Sequence, residues 1–273
     1  MQATASTPDR YFAADADAAF ERERLRLLGQ LMDPMTTGRL DRLGVGRGWR
    51  CLEVGAGDGS VARWLAARVG PTGRVVATDI DPRFLEGPGL ARVEVRRHDI
   101  LRDLLETGHY DLVHCRALLM HLAEPERALA RMLAALRPGG WLLVEEGDME
   151  TFAVVDPDDP ASAMVDRVRR LTTEVMQARG RIDLTLGRRC PDVLERLGLA
   201  EVGSERTTWR CGGGDVRARF LRMSLKLLCQ GAGPISEADY EALERAYDDP
   251  SFDMAMIGAW GQRAADGPVP GIA

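Results

Sequence analysis

Three carboxylates stand at the ends of apolar runs: Glu53 in "CLEVGAGDGS", Asp79 in "VVATDID" and Asp99 in "RRHDI". The first is followed by glycines at alternate positions, Gly55, Gly57 and Gly59. A strand that turns through glycines into a helix lets a ligand lie against the main chain, because no Cβ intervenes. Amides left unpaired at such a helix start would also attract negative charge. The spacing is informative. A dinucleotide turn wants G-x-G-x-x-G, whereas here the last position is Ser60 and the pattern is G-x-G-x-G preceded by an acid. Asp79 follows Glu53 by 26 residues, where a carboxylate is placed to accept two ribose hydroxyl hydrogen bonds. Asp99, on the next strand tip, is placed to accept from an exocyclic adenine amine.

These residues need a sheet to bring them together. Strands are expected at "RCLEVGAG", "RVVATDID", "VEVRRHDI", "YDLVHCRALL" and "WLLVEEGD", with helices at "SVARWLAARVG" and "EPERALARMLAALRPGG". Strands alternating with helices predict an α/β fold, a doubly wound and mostly parallel sheet with helices on both faces. Ligands of such sheets bind beyond the carboxyl ends of the strands, where the three acids stand. N-terminal to the sheet, a helix is expected from Ala18 to about Met32, and a second short one from Thr37 to Leu43. After Asp148 the rhythm changes. Residues 161–178 read as a helix, "RRCPDVLERLGL" as a short helix, "AEVGSERTTWRC" as a strand, 215–229 as a helix and "SFDMAMIGAWGQRA" as a last strand. This divides the chain into an N-terminal helical lid (1–44), a cofactor-binding half (45–150) and a remainder (151–273). That remainder carries helical insertions at about 151–186 and 212–250 on the substrate side.

Bulk composition narrows the classes of partner. The 273 residues suffice for one substantial core. With 45% hydrophobic and 29% charged residues, the chain has the make-up of an ordinary soluble protein. A net charge of −6 gives no basic field for nucleic acid or an anionic membrane. Five scattered cysteines without a CxxC argue against a disulfide framework or zinc site, and a reducing cytoplasm is the expected setting. The polar, acidic N-terminus has no apolar stretch of signal-peptide type, and no run reaches the ~20 apolar residues of a membrane span.

Five segments, "LEVGAGDGS", "VVATDIDPRFL", "RRHDI", "YDLVHCRALLMHL" and "LRPGGWLLVEE", occur in the order and at the intervals of a known family. The chain resembles the class I S-adenosylmethionine-dependent methyltransferases, in their small-molecule, ubiquinone/menaquinone-biosynthesis-like branch. The resemblance is strong over roughly residues 18–150 and weaker beyond. It implies a seven-stranded sheet with one antiparallel strand near its edge. It also implies S-adenosylmethionine as cofactor, S-adenosylhomocysteine as product and a small organic acceptor, a specialised metabolite more readily than a quinone precursor. The backbone of Gly55, Ala56 and Gly57 would then lie against the methionine part, with Glu53 among the cofactor-binding residues. Asp79 would hold the ribose with Ile80 on the adenine, and Asp99 would read the adenine amine beside Ile100. Cys115 and Arg116 would face the sulfonium, and Tyr11 and Arg24 would close over the cofactor. A rival within the fold keeps the cofactor and uses its charge for pericyclic, decarboxylative or hydroxylating chemistry. A nicotinamide dehydrogenase and a non-catalytic partner subunit are further rivals.

Other candidates have two readings each. His121 in "LLMHL" is placed to take a proton from an acceptor hydroxyl, or to pack and shape the pocket, and the second is preferred. His114, inside a strand, reads as structural; His98, just before Asp99, should point away from it. Glu145, Glu146 and Asp148 are expected to hydrogen-bond or to line the substrate mouth. No metal is expected, since a hard-cation site needs several oxygen ligands and metal-assisted catechol methyltransferases use an asparagine, of which the chain has none. Cys190-Pro191 reverses the order of cytosine-5 methyltransferases, which argues again against nucleic acid. Late apolar residues such as Met164, Trp209 and Phe220 either line a substrate chamber or form plain core.

Overall fold

Apolar residues that alternate along a strand between two buried faces demand cover on both sides, and β1 (Arg50–Val54) is built this way. In the computed structural model, which describes residues 13–154, 185–211, 215–229 and 252–265 with isolated positions between, β1 sits near the centre of a seven-stranded sheet. The other strands are β2 (Arg74–Asp79), β3 (Val93–Arg97), β4 (Tyr110–Arg116), β5 (Leu136–Val154), β6 (Leu199–Cys211) and β7 (Phe252–Arg263). Their order is β3-β2-β1-β4-β5-β7-β6. Pairing is parallel from β3 to β5, while β7 runs antiparallel to both β5 and β6. The last strand is therefore the antiparallel one, one place in from the edge.

Leu52 of β1, Val113 of β4 and Val144 of β5 face one layer of helices, α3 (Pro125–Ala135) and the helix Leu186–Arg196. Cys51, Leu112 and Leu143, one residue out of step, face the other layer with α2 (Ser60–Val69) and the end of α1 (Ala18–Arg42). Each leucine fully withdrawn from water contributes roughly 1.5–3 kcal/mol, so both faces hold the sheet between its helices. A third cluster joins α1 (Ala18–Arg42) to the helix Val216–Cys229 through Leu27, Leu31, Phe220 and Leu225, over Trp209 of β6 and Met256 of β7.

α1 corrects the expectation of two N-terminal helices. It runs unbroken for 25 residues with Pro34 inside. Proline removes one internal hydrogen bond and usually breaks a helix. Here Pro34 and Gln30, four residues earlier, are both exposed, so water can serve the carbonyl that loses its donor. The Thr36 and Thr37 hydroxyls donate to the carbonyls of Met32 and Asp33 at 3.2 and 2.8 Å, and the next turn is anchored on the sheet by Arg39. At the other end the Asp17 carboxylate accepts from the amides of Ala19 and Phe20. The helix expected over 161–178, and most of both insertions, fall outside the described residues. Among those described, no helix is long and apolar enough to cross a membrane.

Candidate active site

The glycine turn needs glycine for two reasons. Gly55, Gly57 and Gly59 all adopt positive φ, at 71°, 57° and 79°. In addition, a Cβ would stand 3.0 Å from Leu118 at Gly55 and 2.9 Å from Leu85 at Gly59. The expectation of unpaired amides is overturned. The amides of Gly55 and Ala56 donate to the Thr78 carbonyl at 2.8 and 3.0 Å, and that of Gly57 donates to Asp79 Oδ2 at 2.9 Å. Asp79 Oδ1 accepts from the amide of Asp81 at 2.9 Å. The tip of β2 has taken up the donors that a phosphate would have sought. Burial raises the Asp79 carboxyl above its ordinary range, and the amides of Asp81 and Gly57 partly oppose this.

A cavity open to solvent lies at the carboxyl ends of β1, β2 and β4 and just past β3. Glu53, Gly55, Ala56, Gly57, Asp79, Ile80, Asp99, Ile100, Arg116 and His121 line it. Ile80 stands 46% exposed. Cys115 is not among the lining residues. It packs with Leu52 and Val54 in the core, because strand alternation turns it to the face opposite Glu53, and burial pushes its thiol well up. Arg24 is buried in a two-bond pair with Glu21 at 2.6 and 2.7 Å, and it is Glu21 that lines the cavity. Tyr11 lies outside the described residues.

His98 corrects the sequence reading. β3 ends at Arg97, so strand alternation no longer governs the next residue, and His98 joins Asp99 in the cavity wall. It is 8% exposed, and neither ring nitrogen has a hydrogen-bond partner among the described residues. Buried polar groups are as a rule hydrogen-bonded, so a ligand with polar edges belongs at this wall.

The lining chemistry identifies the ligand type. Glu21, Glu53, Asp58, Asp79, Asp81 and Asp99 outnumber Arg83 and Arg116, and Arg116 is spent on Asp33 at 3.0 Å. A pyrophosphate would meet carboxylates and amides already engaged. An adenosyl group carrying positive charge would meet acceptors for its hydroxyls, its amine and its charge. The residues present fit S-adenosylmethionine.

His121 sits in a short 3-10 turn, Leu119–His121, after β4. Glu146 holds this turn, its Oε1 accepting from the amides of Leu118 and Leu119 at 3.0 and 2.7 Å. Burial lifts the Glu146 carboxyl to about 7, against the pull of those amides. Burial, aided by the charge of Arg24, drops His121 to about 4, so its imidazole is neutral at ordinary pH.

Beneath the glycine turn lies a buried charged network that the sequence reading missed. His114 Nδ1 is 2.7 Å from Glu53 Oε2, and its Nε2 is 3.1 Å from Glu145 Oε2. Glu145 also accepts from Thr36 Oγ1 and Arg39 Nη1, each at 2.5 Å. Burial works against charge on His114, but the two carboxylates prevail and raise it to about 9. Burial likewise opposes ionisation of Glu145, and its bond to His114 overcomes this, taking it down to about 2. Arg39, 0% exposed at its side chain, reaches Glu205 of β6 through Nε at 2.9 Å. Glu145, Gly258 and Glu205 form one register row across β5, β7 and β6. A Cβ on Gly258 would come within 2.5 Å of Arg39 Nε, so the guanidinium crosses the sheet where β7 has no side chain. Asp148, the remaining acid of this strand end, pairs with Arg188 at 2.7 Å.

Comparison with known proteins agrees with this geometry. Residues 52–142 match the family described as a methyltransferase domain. The ubiquinone/menaquinone biosynthesis C-methyltransferase of Ectopseudomonas mendocina is 34% identical over 133 residues, covering 42% of this chain and 52% of that protein. The chain spans between 36% and 56% of the length of the curated relatives it matches. Among solved structures, the BH2331 protein of Bacillus halodurans superposes with a TM-score of 0.53 at 19% identity, over 83% of this chain and 98% of the other. The [4+2]-cyclase SpnF does so with a TM-score of 0.52 at 18% identity, over 87% and 83%. Likeness at that identity carries the fold alone. The segment that matches a methyltransferase domain carries the glycine turn and the three strand-tip acids Glu53, Asp79 and Asp99, so the similarity falls on the residues that line the cavity.

Proposed function

We propose that this protein binds S-adenosylmethionine in the cavity at the strand tips and transfers its methyl group to an oxygen, nitrogen or carbon of a small organic molecule. The observation that carries the reading is the lining of that cavity, in which Glu53, Asp79 and Asp99 come together beside a turn no side chain could occupy. The cofactor, when bound, supplies a methyl made electrophilic by a positively charged sulfur.

The chain's own residues align and shield. Asp79 and Asp99 accept from the nucleoside, and Glu53 and the Gly55-Ala56-Gly57 main chain take the amino-acid part. Leu25, Leu28, Phe84 and Leu118 supply apolar wall that keeps water from the reacting centre. His121, neutral at ordinary pH, is in a state to accept the proton of a weakly acidic acceptor. A specialised metabolite is the acceptor class favoured, since the segments after β5 interrupt the strand–helix rhythm of the earlier half.

Calorimetric titration of the purified protein with S-adenosylhomocysteine tests the first half of the reading; absence of binding would overturn it. Mass spectrometry of acceptor mixtures tests the second half. A product heavier by one methyl, with equimolar S-adenosylhomocysteine, is expected. Conversion of an acceptor without loss of the cofactor would instead place the chain with enzymes that use the sulfonium as a charge.

A further inference from the structure

Both ring nitrogens of His114 sit on carboxylates, Glu53 on β1 and Glu145 on β5. A carboxylate accepts and does not donate, so both nitrogens must carry protons and the ring is an imidazolium. Five elements bring charge or a hydroxyl to this network. β1 brings Glu53, β5 brings Glu145, α1 brings Thr36, Arg39 and Asp33, β4 brings Arg116 and β6 brings Glu205. Of these, Glu53 and Arg116 line the cavity. A buried carboxylate on a strand tip has rotamer freedom unless something grips it, and a charge-assisted bond of 2.7 Å is such a grip.

We infer that His114 is a positioning residue for cofactor binding: its imidazolium grips one oxygen of Glu53 and, through Glu145, locks that carboxylate to the α1 anchor at Arg39 and Thr36. Glu53 thereby presents a fixed acceptor to the ammonium of the cofactor's amino-acid part, and α1 acts as a standing wall of the site. The inference rests on the reading that the cavity takes S-adenosylmethionine with its amino-acid part at the Glu53 end. It assigns the affinity for that part to a residue that does not touch the ligand.

The test compares two probes, S-adenosylhomocysteine and 5′-methylthioadenosine, which share the nucleoside and thioether but differ in the amino-acid part. Dissociation constants are measured for the wild type, His114→Gln, Glu53→Gln and the double variant. The wild type is expected to prefer S-adenosylhomocysteine. His114→Gln should shrink that preference about tenfold, the size of one charge-assisted hydrogen bond, and leave 5′-methylthioadenosine affinity unchanged. Glu53→Gln should shrink it at least as much, and the double variant should add nothing to Glu53→Gln, because His114 acts through Glu53. Equal weakening of both probes in His114→Gln, or an unchanged preference, overturns the inference. A wild type that binds neither probe overturns the underlying functional reading instead. Should His114→Gln fail to fold, nitrogen-15 spectra of the wild type decide. Two protonated ring nitrogens at neutral pH support the inference, and a neutral tautomer sinks it.

Discussion

Asp79 does two jobs with one carboxylate. It ties down the amides of Gly57 and Asp81, and its remaining lone pairs face the cavity. Asp79→Ala should therefore weaken S-adenosylhomocysteine binding by about 1–3 kcal/mol, the penalty for hydroxyls left unpaired. Calorimetry showing an unchanged dissociation constant would remove the ribose assignment. His121 makes a different kind of claim. His121→Ala should keep cofactor affinity within a few-fold yet lower kcat by about 10²–10⁴ if the neutral imidazole takes the acceptor's proton; full-rate turnover returns it to a packing role. Its folded value of about 4 lies below the ordinary 6.5. The unfolded chain thus takes up that proton first, and its contribution to stability declines as pH falls from about 6.5 towards 4. Most of these residues were legible in advance, since glycine, acid and spacing form a local pattern. Cys115 and His98 were not, because which face a residue takes depends on where its strand ends.

α1 was legible as amphipathic helix but not as one helix, and its anchoring could not be read from sequence at all. Arg39 lies between Glu145 and Glu205, which are 60 residues apart in the chain and share a row of the sheet only through β7. Removing it leaves a buried carboxylate facing His114 and Thr36 alone. Arg39→Ala is expected to cost about 3–5 kcal/mol in denaturant unfolding, whereas Arg42→Ala, on the exposed side of the same turn, should cost less than about 1 kcal/mol. Similar losses for the two would mean that the network contributes no more than a surface pair. Gly258→Ala puts a methyl into the space of the Arg39 guanidinium. It should destabilise by about 1–3 kcal/mol, the usual cost of overpacking, and lower the melting temperature.

At the scale of the molecule, the sheet, the α1 anchor and the cavity form one connected body, so the site's stability should follow the network's protonation. His114 is raised to about 9, which means its stabilisation is fully present below the unfolded value of 6.5 and is lost as pH climbs through about 9. Glu145, lowered to about 2, stabilises above its ordinary 4.5, and this is lost as pH falls through about 2. Thermal unfolding should accordingly show an alkaline decline that runs from about pH 6.5 and is complete by about pH 9, and that His114→Gln flattens; a parallel decline in the variant would assign it to other groups. Hydrogen exchange should find the amides around Thr36–Arg39 nearly as protected as those of β1 and β4. The sequence alone determined the fold class and the strand-tip acids, because hydrophobic period, glycine turns and terminal carboxylates are properties of contiguous stretches. Only the tertiary structure decided that the turn's amides are already bonded, that His98 enters the wall, and that Glu53, His114, Glu145 and Arg39 form one buried chain of charge. Such contacts join distant segments across a sheet, where register and burial, neither written in any local window, set which groups meet.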